Sequence, residues 1–401
     1  MFTRTHAIST LAALTLAAGA SAQSFHNLGA ITPTGVSADG SVVAASVFQG
    51  SFFVWTEASG LVNIGGNAVA GNASISDDGT KIGGTIVDPG TGLSEFAQYV
   101  IADGTWTPLG GLGASCDNSV SSGWGMSGDG EMVVGLGWVA NCRAHGISWS
   151  ASTGVVDLGS TVPDRSSRAN AANFDGSVIV GWQDGSTGFR QGAVWRNGVQ
   201  SLIFTNTGGL ISEASGVSAD GTWIIGNGSS SNGFNAWRYS DDTGFETIGM
   251  PPSFGWRGAS TAISADGSVI VGFYRPFPGP ATFGQGFIWT QADGMINLND
   301  FVASQGVNTE GVTLALPLGI SADGRTIVGL GSGGVGFVVT LPQASDCPGD
   351  VTGSGGVDLA DLNLVLANFG QTTDAGDANG DGVVDLADLN TVLANFGITC
   401  D

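Results

Sequence analysis

The 401-residue sequence predicts a mainly β protein: a seven-bladed β-propeller over residues 23–342, followed by a small α module over residues 343–401. Three observations support this fold class. An Asp-Gly turn motif occurs seven times, and each copy is followed by short apolar runs of β type. Near the C-terminus, residues 349–370 and 376–397 align with each other without a gap and read as two loop–helix repeats.

The first 22 residues have the features of a secretory signal peptide. Arg4 and His6 precede an apolar run from Ile8 to Ala18, and Ala20-Ser21-Ala22 forms an A-x-A cleavage site. A retained membrane anchor is the weaker alternative, because this run is short for a spanning helix. We therefore expect cleavage near Ala22, a secreted or cell-surface protein, and no membrane span.

The charge of the chain excludes several partners. Acidic residues number 34 against 11 basic ones, which gives a net charge of −23. Such a chain repels nucleic acid and anionic membranes, while its 42% hydrophobic content is enough for a packed core. Ten of the acids lie within residues 346–401, where Lys and Arg are absent, so this segment is expected to bind a cation.

Four cysteines, Cys116, Cys142, Cys347 and Cys400, predict two disulfides in a secreted chain. Three pairings are possible. Proximity in sequence favours Cys116 with Cys142 and Cys347 with Cys400, and the second bond would join the two ends of the C-terminal module.

The repeat is defined by a turn of the form S-x-D-G. Its Asp recurs at intervals of 39 to 57 residues, at Asp39, Asp78, Asp129, Asp175, Asp220, Asp266 and Asp323. A β-type run such as SVIVGF follows each Asp-Gly, then a strand that usually carries Trp, then a last strand. About four strands in roughly 46 residues are the dimensions of a propeller blade.

The seventh copy lacks its last strand, and the N-terminus supplies a candidate. Residues 24–30, SFHNLGA, match the last-strand pattern of the other copies. We expect this segment to complete the seventh blade, which would hide the sheet edges that an open array exposes. An open solenoid or two stacked sandwiches remain the alternatives.

The repeated residues have a structural interpretation. Ser and Asp of the turn are expected to bond nearby backbone N–H groups, and the recurring tryptophans should pack between blades: Trp55, Trp149, Trp195, Trp237 and Trp289. The tryptophans that do not recur are candidates for a sugar-stacking surface: Trp106, Trp124, Trp138, Trp182 and Trp256. From about Gly35 to Leu341 the repeat resembles the HAF-type repeats of secreted bacterial proteins, a class that has no common reaction.

The C-terminal repeats have the spacing of calcium loops. The second loop offers oxygen ligands from Asp377, Asn379, Asp381, the Val383 carbonyl, Asp385 and Asp388, with Gly382 at the sharp turn. The first loop offers Asp350, Thr352, Ser354, the Gly356 carbonyl, Asp358 and Asp361. We expect two Ca²⁺ sites, the second stronger, because the first has hydroxyls in place of two ligands. Acidic turns without metal are the alternative.

A duplicated calcium loop–helix resembles a type I dockerin, here of a variant flanked by cysteines. The resemblance covers Asp346 to Asp401 and implies binding to a cohesin-like protein or cell-surface scaffold. The positions that contact the partner in that family carry Leu359, Ala360, Leu366, Leu386, Ala387 and Leu393. The Ser/Thr and basic residues usual there are absent, so packing of this module on its own propeller is the alternative.

The sequence contains no G-x-S-x-G with partner residues, no H-E-x-x-H and no Walker loop, and it has two histidines after residue 22, His26 and His145. We therefore expect a non-catalytic binding or display protein with a glycan or protein ligand, and we assign no catalytic residue. The alternative is a polysaccharide-degrading glycoside hydrolase or lyase, which requires paired carboxylates. Its candidates are Glu57, Asp164, Asp184, Glu213, Glu246 and Glu310.

Overall fold

The computed structural model describes residues 23–66, 70–249, 251–342, 347–352, 354, 356–373, 375–379 and 381–399. The predicted signal peptide therefore lies outside the described residues. The described residues form 28 strands and three α-helices, so the mainly β class is confirmed. Within them, every helix is too short or too polar to cross a membrane.

The strands group into seven four-stranded units, numbered 1 to 7 along the chain. The first strands of the units are β2 (Thr32–Val36), β6 (Ser74–Ile75), β10 (Ser121–Met126), β14 (Ser167–Ala172), β18 (Glu213–Val217), β22 (Trp256–Ile263) and β26 (Leu314–Ile320). The second strands are β3 (Val43–Ser46), β7 (Lys81–Val87), β11 (Met132–Val139), β15 (Val178–Asp184), β19 (Ile224–Asn227), β23 (Val269–Pro276) and β27 (Thr326–Gly331).

The third and fourth strands complete each unit. The third strands are β4 (Phe52–Thr56), β8 (Ser94–Val100), β12 (Arg143–Ser150), β16 (Arg190–Arg196), β20 (Trp237–Ser240), β24 (Gln285–Thr290) and β28 (Gly336–Thr340). The fourth strands of units 1 to 6 are β5 (Gly60–Gly65), β9 (Thr105–Pro108), β13 (Gly154–Gly159), β17 (Val199–Leu202), β21 (Gly244–Thr247) and β25 (Gly294–Asn297). In unit 7 this place is taken by β1 (Ser24–Gly29).

Neighbouring strands of a unit pair antiparallel, in chain order except in unit 7. There β1 pairs with β28, with Phe25 opposite Val339, so the predicted placement of the N-terminal strand in the seventh unit is confirmed. Units 5 and 6 also share one sheet, because Asn227 of β19 pairs with Ala259 of β22. The sequence pattern had not predicted this link.

The S-x-D-G turns connect the first and second strands, and their predicted structural role is confirmed. In unit 5, Ser218 Oγ donates to Asp220 Oδ1 over 2.6 Å and accepts from the Trp223 N–H over 2.9 Å. Gly221 has φ 77°, a left-handed conformation that costs glycine little. Unit 4 has Asn173 in place of the Ser, and its Oδ1 accepts from the Val178 N–H over 2.9 Å. Each turn is thus held by its own side chains.

The turns are also joined to one another. A backbone N–H of each turn donates to a carbonyl of the next, and the series returns to its start: Ala38 to Asp77, Asp77 to Gly128, Asp129 to Phe174, Phe174 to Ala219, Ala219 to Ala265, Ala265 to Ala322, and Ala322 to Ala38. These seven hydrogen bonds, called here the turn ring, bring the ends of all seven first strands together. The sheets are therefore arranged in a curled, propeller-like order.

The core lies between neighbouring units rather than at one centre. Trp195 of unit 4 is fully buried beside Val134 of unit 3 and Ile179 of its own unit. Trp237 of unit 5 packs in the same way against Val194 of unit 4. The predicted packing of the recurring tryptophans between units is confirmed, because each large ring fills the gap between two twisted sheets.

Of the two predicted disulfides, one lies entirely within the described residues. Cys116 and Cys142 form a disulfide, as predicted, which joins the loop before β10 to the segment between β11 and β12. Cys347 is disulfide-bonded, while Cys400 lies outside the described residues.

The three α-helices are α1 (Leu298–Ser304), α2 (Leu359–Asn368) and α3 (Leu386–Ala394). The sequence pattern had not predicted α1, which follows β25 and buries Leu298 and Val302 against unit 7. Helices α2 and α3 belong to the C-terminal module and lie where the apolar spacing places them. They pack around a core of Val357, Val365, Val384 and Val392.

The two loop–helix repeats of the C-terminal module interlock reciprocally. The Gly370 N–H, after α2, donates to the carbonyl of Val384 in the second loop over 2.7 Å. The Gly397 N–H, after α3, donates to the carbonyl of Val357 in the first loop over 2.8 Å. Each loop is thus held by the chain that follows the other repeat's helix, so the two repeats form one unit.

Candidate functional site

The first strands are bulged at one repeated position. In six units the pairing with the second strand skips the residue three positions before the turn Ser or Asn: Thr34, Trp124, Asn170, Ser215, Thr261 and Leu318. A β-bulge redirects the side chain of its extra residue. All six residues line a common space of about 520 Å³ between the first strands, called here the axial cavity.

In four units the bulged side chain bonds the next unit. The bonds to backbone carbonyls are Thr34 Oγ1 to Ala73, 2.7 Å, Asn170 Nδ2 to Ala214, 2.7 Å, Ser215 Oγ to Ser260, 2.6 Å, and Thr261 Oγ1 to Pro317, 2.7 Å. A short polar residue at this position therefore links neighbouring units. Trp124 and Leu318 depart from that pattern.

Trp124 stacks on a buried ion pair. The guanidinium carbon of Arg168 lies 3.6 Å from the centroid of the Trp124 ring. Arg168 Nη2 donates to Glu213 Oε1 over 2.7 Å, and its Nε donates to Asn170 Oδ1 over 2.7 Å. The side chains of Arg168 and Glu213 are 13% and 11% exposed. Three neighbouring units, through β10, β14 and β18, thus meet in one polar cluster.

A second arginine reaches the same carboxylate. Arg190 Nη1 donates to Glu213 Oε2 over 2.7 Å, so two guanidinium groups share one carboxylate. Burial lowers the pKa of Arg168 to about 10, Glu213 opposes this effect, and the charge of Arg190 adds to it. The guanidinium stays protonated at neutral pH, but its charge is less well stabilised than in water.

The carboxylates named as catalytic candidates do not come together in this cavity. Of the six, Glu213 alone lines it, and its oxygens accept from two arginines and from Asn170 over 2.9 Å. Glu246 pairs instead with Arg238 over 2.7 Å outside the cavity. The axial cavity therefore lacks, within the described residues, the pair of free carboxylates that glycoside hydrolysis requires.

The predicted sugar-stacking surface of non-recurring tryptophans is not formed as one surface. Trp182, a candidate for that surface, is buried under Arg190, whose guanidinium carbon is 4.2 Å from the ring, so its ring is not open to a sugar. Trp106 packs between Phe52 and Tyr99 with both centroid distances 5.3 Å. These rings pack against protein side chains. Of the five non-recurring tryptophans, Trp124 lines the axial cavity.

Trp138 and Trp256 likewise stand apart from the cavity. Trp138 is half-buried at the end of β11, and Trp256 packs against the core cluster that contains Tyr274. The histidines also lie elsewhere: the His26 ring is 4.9 Å from Trp55, and His145 Nδ1 is 2.9 Å from Asp157 Oδ1.

Sequence reasoning had named Trp124 and Glu213 but had missed Arg168 and Asn170. The available signal was the position three residues before the turn, where Thr, Ser and Asn recur and Trp124 is the exception. The bulge that makes this position face the cavity is visible only in the strand pairing.

In the first C-terminal loop, five of the six predicted calcium ligands are linked by hydrogen bonds between their ligand oxygens, and Asp358 is not among them. Thr352 Oγ1 lies 2.7 Å from Asp361 Oδ1 and 3.2 Å from Asp350 Oδ1. Ser354 Oγ lies 3.0 Å from the Gly356 carbonyl oxygen and 3.4 Å from Asp350 Oδ1. Carboxylate, hydroxyl and carbonyl oxygens are the ligand types that Ca²⁺ takes, and here the hydroxyls donate hydrogen bonds to the other oxygens.

The second loop is organised around a buried carboxylate. Asp388 is fully buried and accepts from the N–H groups of Ala378, Asn379 and Asp385 over 2.7 to 3.1 Å. Gly382, at the sharp turn, has φ 83°, and its N–H donates to Asp377 Oδ2 over 2.6 Å. Asp361 is equally buried in the first loop. Residues 343–401 contain no Lys, Arg or His, so no basic side chain of this segment offsets these buried carboxylates.

The predicted ligand sets depend on more than carboxylates. Among the described residues, no group of three or more His, Cys, Asp or Glu side chains is arranged to hold a metal. Asp358 and Asp385 also cap α2 and α3 by accepting from Ala360 and Ala387 N–H groups. Hydroxyl, amide and carbonyl oxygens, including that of Val383, would have to complete both shells.

The predicted partner-binding residues are exposed. Leu359 and Leu386 are both 61% exposed, and Leu366 and Leu393 are both 53% exposed. Ala360 and Ala387 are exposed beside them. The two helices therefore present matching apolar positions, called here the tail faces, to solvent.

Comparison with known proteins bears on the fold. No protein-family model matches the chain, and no curated protein shows significant similarity to it. Among solved structures, oligogalacturonate lyase from Vibrio parahaemolyticus is similar with a TM-score of 0.52 at 12% identity, over 80% of this chain and 98% of that one. TolB from Acinetobacter baumannii gives 0.43 at 14% identity, over 67% of this chain. This chain spans 62% of that TolB. The similarity to the lyase shows a propeller-like β fold and carries no information on activity.

Proposed function

We propose that this chain is a secreted, non-catalytic binding and display protein, in which a propeller of HAF-type repeats is carried by a calcium-dependent, dockerin-like tail. The tail would attach it to a cohesin-like protein or a cell-surface scaffold. The observation that carries the proposal is the tail itself: two interlocked loop–helix repeats with buried carboxylates and matching exposed leucines on α2 and α3.

For the strand region we propose a closed seven-bladed propeller. The support is the turn ring, which runs through all seven turns and returns from Ala322 to Ala38. The pairing of β1 with β28 is a second support, because the first and last strands of the propeller then belong to one hydrogen-bonded unit. Such a scaffold is rigid and presents its loops and cavity to ligands.

For the tail we propose two Ca²⁺ sites, the second stronger. Asp350, Thr352, Ser354, Asp358 and Asp361 with the Gly356 carbonyl would hold the first ion, and Asp377, Asn379, Asp381, Asp385 and Asp388 with the Val383 carbonyl would hold the second. Bound calcium supplies positive charge that offsets the repulsion among these carboxylates. The loops already cap α2 and α3, so the positions of the tail-face residues depend on how well ordered the loops are.

The non-catalytic assignment rests on the chemistry of the axial cavity. Its carboxylate, Glu213, is engaged by Arg168 and Arg190 and is therefore unsuited to donate or accept a proton in hydrolysis. The alternative of a polysaccharide-degrading enzyme has no comparable observation in its favour.

The proposal is tested with mature protein, residues 23–401, as bait against secreted and cell-surface proteins of the producing organism. We expect one partner that is retained with calcium, is released by EGTA and then binds the purified bait in calorimetry. Asp377→Ala/Asp388→Ala should lose it by disordering the second loop. Leu386→Ser/Leu393→Ser should lose it while keeping calcium binding.

A matched control is Phe48→Ser, which removes an apolar side chain that is 75% exposed on the strand region. This variant should retain the partner. A calcium-loaded, folded tail that retains no partner, or a partner that Leu386→Ser/Leu393→Ser still binds, would overturn the docking function.

A further inference from the structure

Trp124 occupies the one bulged position where a large aromatic replaces a linking residue. Units 1 and 6 have Thr at this place, unit 5 has Ser and unit 4 has Asn, and each of these side chains bonds the next unit. Trp124 makes no such link; its Nε1 donates to Ser122 Oγ of its own strand over 2.9 Å. The ring instead covers the guanidinium of Arg168 at the wall of the axial cavity.

The charges at this wall do not balance. Arg168 and Arg190 face a single carboxylate, Glu213, which leaves one excess positive charge in a chain whose net charge is −23. Of the two, Arg168 is 13% exposed and Arg190 is 46% exposed, so the cost of incomplete pairing falls on the buried Arg168. The lowered pKa of Arg168 agrees with this, since burial and Arg190 together outweigh the attraction of Glu213. An anion at this wall would supply the missing negative charge.

Arg168 also has donors to spare. A guanidinium has five N–H donors, and the bonds of Arg168 in the described part of the chain use Nε and Nη2. Its Nη1 has no hydrogen-bond partner there. This nitrogen can donate a charge-assisted hydrogen bond to an anionic oxygen, such as that of a carboxylate.

The size and surface of the cavity restrict the ligand further. Its volume of about 520 Å³ lies within the 300–1,000 Å³ typical of small-molecule sites. Hydroxyl and amide side chains such as Thr32, Thr34 and Asn72 line it together with the Trp124 ring. An aromatic face beside several hydrogen-bonding groups suits a sugar ring, which is apolar on one face and carries hydroxyls on its edge.

We propose that the axial cavity binds a sugar acid, with the carboxylate of the ligand at Arg168 and its ring against Trp124. The inference rests on the part of the proposed function that gives the propeller a ligand, and it names the chemical class of that ligand. It does not depend on the tail, so failure of the docking test leaves it standing.

The experiment is isothermal titration calorimetry of mature protein with calcium present, using glucuronate and galacturonate, with glucose and acetate as controls. A tri-uronate oligosaccharide distinguishes the end of a polymer from a free monosaccharide. We expect a uronate to bind at least about tenfold more tightly than glucose or acetate, which is about 1.4 kcal/mol.

Three variants test the named contacts, each checked for folding by circular dichroism and thermal melting. Trp124→Thr installs the residue that units 1 and 6 carry and should weaken uronate binding about tenfold or more. Arg168→Gln should abolish the preference for uronate over glucose. Trp138→Thr makes the same change at a half-buried tryptophan outside the axial cavity and should leave uronate affinity within about twofold.

Arg168→Gln leaves Glu213 with one arginine and can fail to fold, so Trp124→Thr and the ligand series decide the result without it. Equal binding of glucose and uronate would overturn the role of Arg168, and equal binding of acetate and uronate would overturn the role of Trp124. Absence of binding by all uronates to the folded protein would overturn the proposal while leaving a calcium-dependent tail partner unaffected.

Discussion

The S-x-D-G turn predicts a large effect from a very small change, Ser218→Ala. Ser218 is fully buried, and its hydroxyl makes two bonds in the turn of unit 5. It donates to Asp220 Oδ1 over 2.6 Å and accepts from the Trp223 N–H over 2.9 Å. Alanine lacks the hydroxyl, so both hydrogen bonds are lost and the Trp223 N–H has no acceptor in its place.

The magnitude follows from these two bonds. A hydrogen bond to a charged group contributes about 1.5–3 kcal/mol, and a buried donor left unpaired costs about 1–3 kcal/mol. Asp220 is partly exposed and keeps its bond from the Thr222 N–H, so we take the low end of both ranges. We expect Ser218→Ala to reduce the free energy of unfolding by about 2–3 kcal/mol.

The assay is urea denaturation at neutral pH, with Ser218→Asn as the matched control. In unit 4 the equivalent residue, Asn173, accepts from the Val178 N–H over 2.9 Å through its own side chain. Ser218→Asn should therefore retain the backbone bond and lose less than half as much stability as Ser218→Ala. Equal losses for the two variants, or a loss below about 0.5 kcal/mol for Ser218→Ala, would refute the reasoning, because surface-type substitutions produce effects of that size.

The same turn predicts a dependence on pH. Burial alone would raise the pKa of Asp220, but hydrogen bonds from Ser218 and Thr222 outweigh it and lower the pKa below 3.8. A carboxyl with a lowered folded pKa contributes stability that is present above its unfolded pKa and lost as pH falls through the folded pKa. The difference between wild type and Ser218→Ala should therefore be full at neutral pH and shrink below pH 3.8.

Three further predictions address the turn ring, the disulfide and the N-terminal strand. Burial, and to a lesser extent two neighbouring carboxylates, raises the pKa of Asp77. Asp77→Asn should therefore increase the free energy of unfolding at neutral pH, measured by urea denaturation, and this gain should vanish below pH 3.8. A gain that persists in acid would contradict the electrostatic cause. Replacing Cys116 and Cys142 by Ser opens a loop with a sequence separation of 26 and should cost about 3.5 kcal/mol by the chain-entropy relation, measured by the same denaturation; an unchanged midpoint would refute it. Removing residues 23–29 leaves the edge of β28 unpaired and should produce oligomers in size-exclusion chromatography, whereas a monodisperse monomer would contradict the role of β1 as an edge cover.

The sequence by itself determined the features that depend on neighbours along the chain. The turn bonds, such as Ser218 to Asp220, span two residues, and the helices of the tail follow apolar spacing within one segment. The missing last strand of the seventh copy and the matching N-terminal segment were visible as a count, so the pairing of β1 with β28 could be predicted.

Only the tertiary structure decided the axial cavity and which tryptophans reach it. Arg168 and Glu213 are 45 residues apart and belong to different units, so their contact depends on how two sheets pack. The same packing buries Trp182 and turns Trp124 toward the cavity through a bulge in β10. The physical reason is that side-chain direction at a bulge and burial between sheets are set by non-local pairing, which an alternating pattern of residues does not record.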